Sequence, residues 1–186
     1  MKKIILFSIS LFLYLSASAQ SSIGDFWGLR LGQTQNQVTS TLNNKGLTYR
    51  WKDRTKKGEL PCEVKGPYIG GIKFQYLTLY FKDGVLVKGM FHSYDGWGTS
   101  PEDWHIHESG FNASAMNFQK TFNKVKSICQ SKYGSPHMDT ENIVEWQDGN
   151  SKISVEYEYE LTREPYLVSS WTRVMLIYET VDFSEF

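Results

Sequence analysis

Two Asp-Gly dipeptides, Asp83-Gly84 and Asp148-Gly149, constrain the fold more tightly than any other feature, because each lies between aromatic-rich segments that read as strands. Asp-Gly readily takes the positive φ angles of a tight turn, so each dipeptide predicts two antiparallel neighbours in one sheet. The first joins residues 79–82 to 85–91 and the second joins 144–147 to 153–161. Alternation is clearest in the last of these. Val155, Tyr157, Tyr159 and Leu161 fall on one side of a pleated strand and Glu156, Glu158 and Glu160 on the other. A final strand over 168–178 has apolar residues at both parities, the pattern of an interior strand covered on both sides.

Two helices precede these strand groups. Thr34 with Gln37 forms the pattern of a capping box, Val38 and Leu42 are one turn apart, and Gly46 supplies a stop. After Asn112 or Ser114 as cap, Ala115, Phe118, Phe122, Val125, Ile128 and Cys129 keep the three-four spacing of one buried face until Gly134 and Pro136. The expected fold is therefore α+β, with two pseudo-repeated units of one helix followed by antiparallel strands, over roughly 24–92 and 111–180, and the helices on one face. An extra hairpin is expected between Gly46 and Gly71, and residues 92–110 read as the loop joining the units.

The amino terminus carries Lys2 and Lys3, an apolar run over 4–15, and Ala17-Ser18-Ala19. That order predicts a signal peptide over 1–19, cleaved near Ala19/Gln20, and a single domain over 20–186 in the periplasm or outside the cell. The run falls short of the roughly 20 residues needed to span a bilayer. No cysteine lies at the cut to take a lipid, so no stable membrane anchor is expected.

Lysine and arginine number 20, as do aspartate and glutamate, and loss of the leader leaves a net of −2. The distribution is uneven: residues 20–90 carry 11 basic and 5 acidic groups, whereas 139–186 carry 3 and 11. The simple reading is complementarity across a shared sheet; the sharper one is head-to-tail self-association or an oppositely charged partner. Nucleic acid is excluded by the charge, the thin aromatic interleaving and the export signal. Arg50, Lys52, Arg54 and Lys56 would line one side of an extended segment, either gripping an acidic partner or facing Glu156, Glu158 and Glu160 across strands. Cys62 and Cys129 are the only cysteines; export permits a disulfide, while the apolar stripe around Cys129 equally suits a buried free thiol.

A resemblance rests on Phe26-Trp27-Gly28-Leu29-Arg30-Leu31-Gly32, Lys45-Gly46-Leu47, Gly66-Pro67-Tyr68-Ile69-Gly70, Lys132-Tyr133-Gly134-Ser135-Pro136 and a closing Leu176-Ile177-Tyr178. Together these resemble a set of small exported proteins from Bacteroidetes that has no assigned activity. Each half is also similar in layout to the helix-and-sheet unit of β-lactamase-inhibitor-protein-like and outer-membrane assembly lipoprotein domains. That layout implies a binding or scaffolding role, although the lipoprotein cysteine is absent here.

Candidate site residues concentrate in 92–110. Tyr94, Trp97 and Trp104 would make an aromatic platform for a sugar ring or an apolar partner, or fold back as a small core of their own. His105 and His107, if extended, would project to one side with Asp95 or Glu102 near them; two histidines two apart fall short of a metal site, and neither a metal nor a cofactor is assigned. No nucleophile elbow, phosphate loop, zinc-helix or dinucleotide motif occurs. The expected function is an exported, non-enzymatic binding protein of the bacterial envelope, taking an envelope protein or glycan through a sheet face or the 92–110 loop. The alternative is a hydrolase or metal-dependent enzyme built near His92, His105 and His107. A third reading is an accessory protein whose charge asymmetry drives assembly.

Overall fold

A computed structural model describes residues 23–181, and the signal peptide expected over 1–19 lies outside the described residues. The chain is α+β. A two-stranded ribbon, β1 (Asp25–Phe26) and β2 (Leu29–Arg30), precedes α1 (Gln35–Asn44). Then come β3 (Tyr49–Trp51), β4 (Leu60–Lys65), a small ribbon of β5 (Tyr68–Ile69) and β6 (Ile72–Lys73), β7 (Tyr76–Lys82) and β8 (Val85–Thr99). After α2 (Trp104–Tyr133) follow β9 (Met138–Asp139), β10 (Ile143–Asp148), β11 (Ser151–Glu164) and β12 (Leu167–Thr180). Eight strands form one antiparallel sheet in the order β3-β4-β7-β8-β12-β11-β10-β9, so β8 and β12 meet at its centre.

Both ends of α1 follow from its sequence. The Gln37 amide donates to Thr34 Oγ1, and the Thr34 amide donates to Gln37 Oε1 at 2.9 Å, which closes the capping box. At the other end Gly46 adopts φ +64°, and its amide and that of Leu47 donate to the Asn43 and Leu42 carbonyls. Those are the two bonds of a Schellman stop. At the first hairpin, Asp83 and Gly84 both have positive φ, as a type I′ turn requires. The second turn is displaced by one residue. Asp148 pairs with Ser151, so Gly149 and Asn150 form the turn, with positive φ at Gly149 alone.

The long connection expected over 92–110 shrinks to residues 100–103. β8 continues to Thr99, paired without a break against β12 as far as Val168. Gly96, Gly98 and Asp95 are weak strand formers, and it is the partner strand that holds them extended. The second helix starts at Trp104 rather than after Asn112 or Ser114. Ser100 Oγ accepts from the Asp103 amide at 3.3 Å and donates to Asp103 Oδ2 at 3.0 Å, so Ser100-Pro101-Glu102-Asp103 launches the helix two turns early. Phe111 and Trp104 then pack with Val168 and Leu161, which offsets the cost of about 1 kcal/mol for Gly110 inside a helix.

Register sorts the sheet into two faces. Leu77, Leu79 and Phe81 of β7, Phe91 of β8, Val174, Leu176 and Tyr178 of β12, and Val155 of β11 are buried in one core with Val38 and Leu42 of α1 and Phe122, Val125 and Cys129 of α2. Phe26 of β1 and Ile72 of β6 belong to the same core. The alternation expected from Val155 to Leu161 holds on this side. The Tyr157 hydroxyl donates to the Ala115 carbonyl of α2, Tyr159 stacks on Phe111 at 5.5 Å, and Leu161 packs beside Trp104. Cys62 and Cys129 are both free and buried here.

Candidate functional site

β12 is interior, as expected, but the two faces of it are covered differently. Every described element outside the sheet that joins the main core does so on the core side. The opposite face has no covering layer among the described residues. There Met175 lies between His92 and Glu156, and Ile177 between Met90 and Ser154, so these two are screened by neighbours in the sheet itself. Met90, His92 and Tyr94 of β8 and Trp171, Arg173 and Met175 of β12 line a recess of about 420 Å³ on this open face, with a predominantly apolar wall.

Aromatic rings pave the recess. Tyr76 of β7 stacks on His92 at 5.5 Å and on Tyr94 at 6.5 Å, which ties the recess to a second hollow of about 540 Å³ beside Lys65 and Phe74. Tyr94 is 53 % exposed. Its backbone is fixed by the Gln75 carboxamide, which donates to the Tyr94 carbonyl at 3.0 Å and accepts from the Tyr94 amide at 3.1 Å. The Gln75 side chain thus extends the ladder past the start of β7 and holds the ring-bearing residue in the strand.

Charge in the recess is anchored from one side. Arg173 donates through Nε to Glu158 Oε2 at 2.6 Å, meets the same oxygen through Nη2, and lies over the Trp171 ring at 5.3 Å. His92 Nε2 lies 3.1 Å from Thr78 Oγ1. Burial lowers the His92 pKa; Glu63 opposes the shift and the Arg173 guanidinium adds to it, so the imidazole is neutral at pH 7. Above the recess, Glu179 joins Lys88 at 2.9 Å and Lys152 at 3.1 Å across three adjacent strands. Burial alone would raise the Glu179 pKa, but the two ammonium groups outweigh it and hold the carboxyl below its usual range.

The open face is also polarised about its central seam. The β3-to-β8 wing carries Arg50, Lys52, Lys65, Lys82 and Lys88 against Glu63, a net of four positive charges. The β12-to-β10 wing, up to Glu160, carries Glu145, Glu156, Glu158, Glu160 and Glu179 against Lys152 and Arg173, a net of three negative. Arg50 and Lys52 do not face Glu156, Glu158 and Glu160 across strands, because β4, β7, β8 and β12 intervene. Lys52 instead pairs with Glu63 at 3.3 Å, and Arg54 donates to the Gly58 carbonyl within its own turn.

The residues singled out over 92–110 do not converge. Tyr94 reaches the open face, but Trp97, three positions on, points to the other side and stacks on His107 at 5.8 Å. Trp104 is buried in the small second core, where its indole N–H meets no acceptor among the described residues, so the aromatic platform does not form. His105 and His107 lie on a helix rather than an extended segment, where two-residue spacing sends them to different sides. His105 Nδ1 is 2.8 Å from the Glu102 carbonyl. His92 is on the opposite face of the sheet from His107, so the three histidines of the hydrolase alternative do not share a site. Among the described residues no group of three His, Cys, Asp or Glu side chains is arranged to hold a metal. Burial pushes both thiols up to about 12, which leaves neither activated as a nucleophile. Met90, Trp171, Arg173 and Met175 escaped sequence reasoning; the signal for them was the double-sided apolarity of 168–178, which shows a second face without showing what shares it.

No protein-family model matches the chain, and neither a curated protein nor a solved structure is detectably similar to it.

Proposed function

We propose that this protein is an exported, non-enzymatic binding protein of the bacterial cell envelope that engages its partner through the open face of the sheet. The observation that carries the reading is the uncovered recess between β8 and β12. An apolar, aromatic-paved hollow with one anchored guanidinium at its rim is the composition of an interaction surface rather than of a solvated sheet face. Tyr94 and Trp171 are amphipathic anchors of the kind that dominate binding energy, and the bond from Glu158 pre-sets the Arg173 geometry.

The resemblance to small exported Bacteroidetes proteins and the two-unit layout fit this role. A helix followed by four strands of the main sheet occurs twice in the chain, and the final strands of the two runs, β8 and β12, pair with each other. We read the halves as pseudo-repeats whose junction forms the binding face. Export supplies the location, periplasmic or secreted, and an envelope protein or glycan is the expected ligand.

A photo-crosslinking residue placed at Tyr94 in the exported protein tests the reading, with Tyr159 on the core side as control. The expected result is an adduct from position 94 in the envelope fraction, none from 159, and loss of the first on Trp171→Ala. No adduct from 94, or equal adducts from both, would overturn the sheet-face assignment.

A further inference from the structure

We infer that the occupant of the open face is a second copy of this chain, docked face to face about a two-fold axis that runs along the β8–β12 seam. This rests on the sheet-face reading above and names its partner.

The ground for it is the antisymmetry of charge. A foreign ligand imposes no relation between the two wings. A two-fold axis parallel to the central strands imposes one, because it lays each wing of one protomer over the opposite wing of the other. The open face meets that condition in sign: a net of four positive charges on the β3-to-β8 wing stands against three negative on the β12-to-β10 wing up to Glu160. Internal ion pairs occupy Lys52 with Glu63, Lys88 and Lys152 with Glu179, Lys152 with Glu145, and Arg173 with Glu158. What they leave outside any ion pair among the described residues is Arg50, Lys65 and Lys82 on one wing and Glu156 and Glu160 on the other, up to Glu160. The bonds these two carboxylates accept come from Ser154, Thr162 and Trp171. The alternative axis, perpendicular to the strands, would set like wings against each other.

The seam supplies the apolar centre that such a contact needs. Met90 and Tyr94 of β8 and Trp171 of β12 lie on the two sides of the axis, beside the screened Met175 and Ile177, so the same patch meets itself, with charge relegated to the flanks. Eight strands at about 4.8 Å spacing span roughly 35 Å, wide enough for the ~800 Å² per partner of a stable interface. The sequence asymmetry, basic over 20–90 and acidic over 139–186, is then the one-dimensional trace of a self-complementary surface.

Sedimentation analysis of the purified exported protein and two charge-reversal variants tests this. Glu156→Lys/Glu160→Lys turns the acidic wing to a net of +1, and Arg50→Glu/Lys65→Glu removes the net charge of the basic wing. The parent is expected to dimerise in dilute salt and to weaken about tenfold between 50 and 500 mM salt. Each variant alone is expected to weaken by at least about tenfold, and an equimolar mixture of the two to regain a heterodimer. The mixture also shows that both variants are folded. A parent that stays monomeric in low salt, a variant that still pairs with itself, or a mixture that fails to pair would each overturn the inference. The Tyr94 adduct separates the two levels: twice the mass of the chain supports self-pairing, a foreign mass leaves the sheet-face reading and removes the second copy, and no adduct removes both.

Discussion

Gly89 lies on the core side of β8, directly beneath the ring of Phe26, and its replacement by alanine measures how closely the first ribbon is seated on the sheet. A Cβ at this position would come within 2.5 Å of Phe26 Cζ, 2.6 Å of Cε2 and 3.4 Å of Leu79 Cδ2. Ordinary carbon contacts begin near 3.5 Å, so the ring must retreat by about 1 Å. It has little room to do so. Phe26 is 1 % exposed, stacked on Tyr178 at 4.3 Å and edge-on to Phe91 at 6.4 Å. Overpacking of this kind costs about 1–3 kcal/mol, and a ring held on two sides belongs at the upper end. Alanine returns roughly 0.5 kcal/mol by restricting the unfolded chain, which leaves a net loss of about 2 kcal/mol. In a domain of this size that lowers Tm by roughly 4–8 °C. Urea denaturation of Gly89→Ala, Phe26→Leu and the double variant gives the coupling directly; the smaller leucine side chain should recover at least about 1 kcal/mol of the alanine penalty. Gly110→Ala is the control. No atom lies within 4 Å of a Cβ there, and the helix should gain about 1 kcal/mol. A Gly89→Ala variant within about 0.5 kcal/mol of the parent, or a double variant with no recovery, would refute the packing described for Phe26.

Two further outcomes are expected. The His92 pKa is depressed, so the unfolded chain binds its proton first: stability from the neutral imidazole is complete above about pH 6.5 and is lost as pH falls through the lower folded value. His92→Gln should flatten the stability profile between pH 7 and 5 in denaturant titrations, and an unchanged slope would show that His92 is not its source. Cys62 and Cys129 are both buried with pKa values pushed to about 12, so a thiol reagent at pH 8 should label neither in the native protein and both after unfolding. Native labelling, or two unreactive sulfurs after unfolding without reductant, would refute the buried free thiols.

How much was legible in the sequence depended on how local the cause was. The capping box at Thr34, the stop at Gly46 and the I′ turn at Asp83-Gly84 are each decided within four or five residues, and each stands where the residues put it. The parity of 155–161 survived for the same reason, since alternation is a property of the strand alone. Residues 92–110 failed because their structure is imposed from a distance. Gly96 and Gly98 have no strand preference of their own and are extended by a partner some 70 residues away. The Ser-Pro-Glu-Asp start at 100–103 lies ahead of the apolar spacing that begins at Ala115, and Trp104 and Phe111 join a core that exists only once Leu161 and Val168 are beside them. The open face could not be assembled from sequence at all. Tyr94 was within reach as a loop aromatic, but its pairing with Arg173 and the neighbouring Trp171 depends on which strand lies beside β8.

Because β12 sits at the middle of the sheet yet follows every other described strand, the fold has a fixed order of completion. The pairing of β8 with β12 joins residues 69 apart at Thr99–Val168 and 91 apart at Lys88–Glu179, the kind of non-local closure that slows folding. Until residues 167–180 are in place, β8 presents fifteen residues of unpaired edge and the Phe91 side of the core lies open. A chain emerging amino terminus first therefore cannot close its sheet partway. It remains an incomplete, edge-exposed intermediate until its last strand arrives, with the longest unpaired edge of the sheet open to any other extended chain.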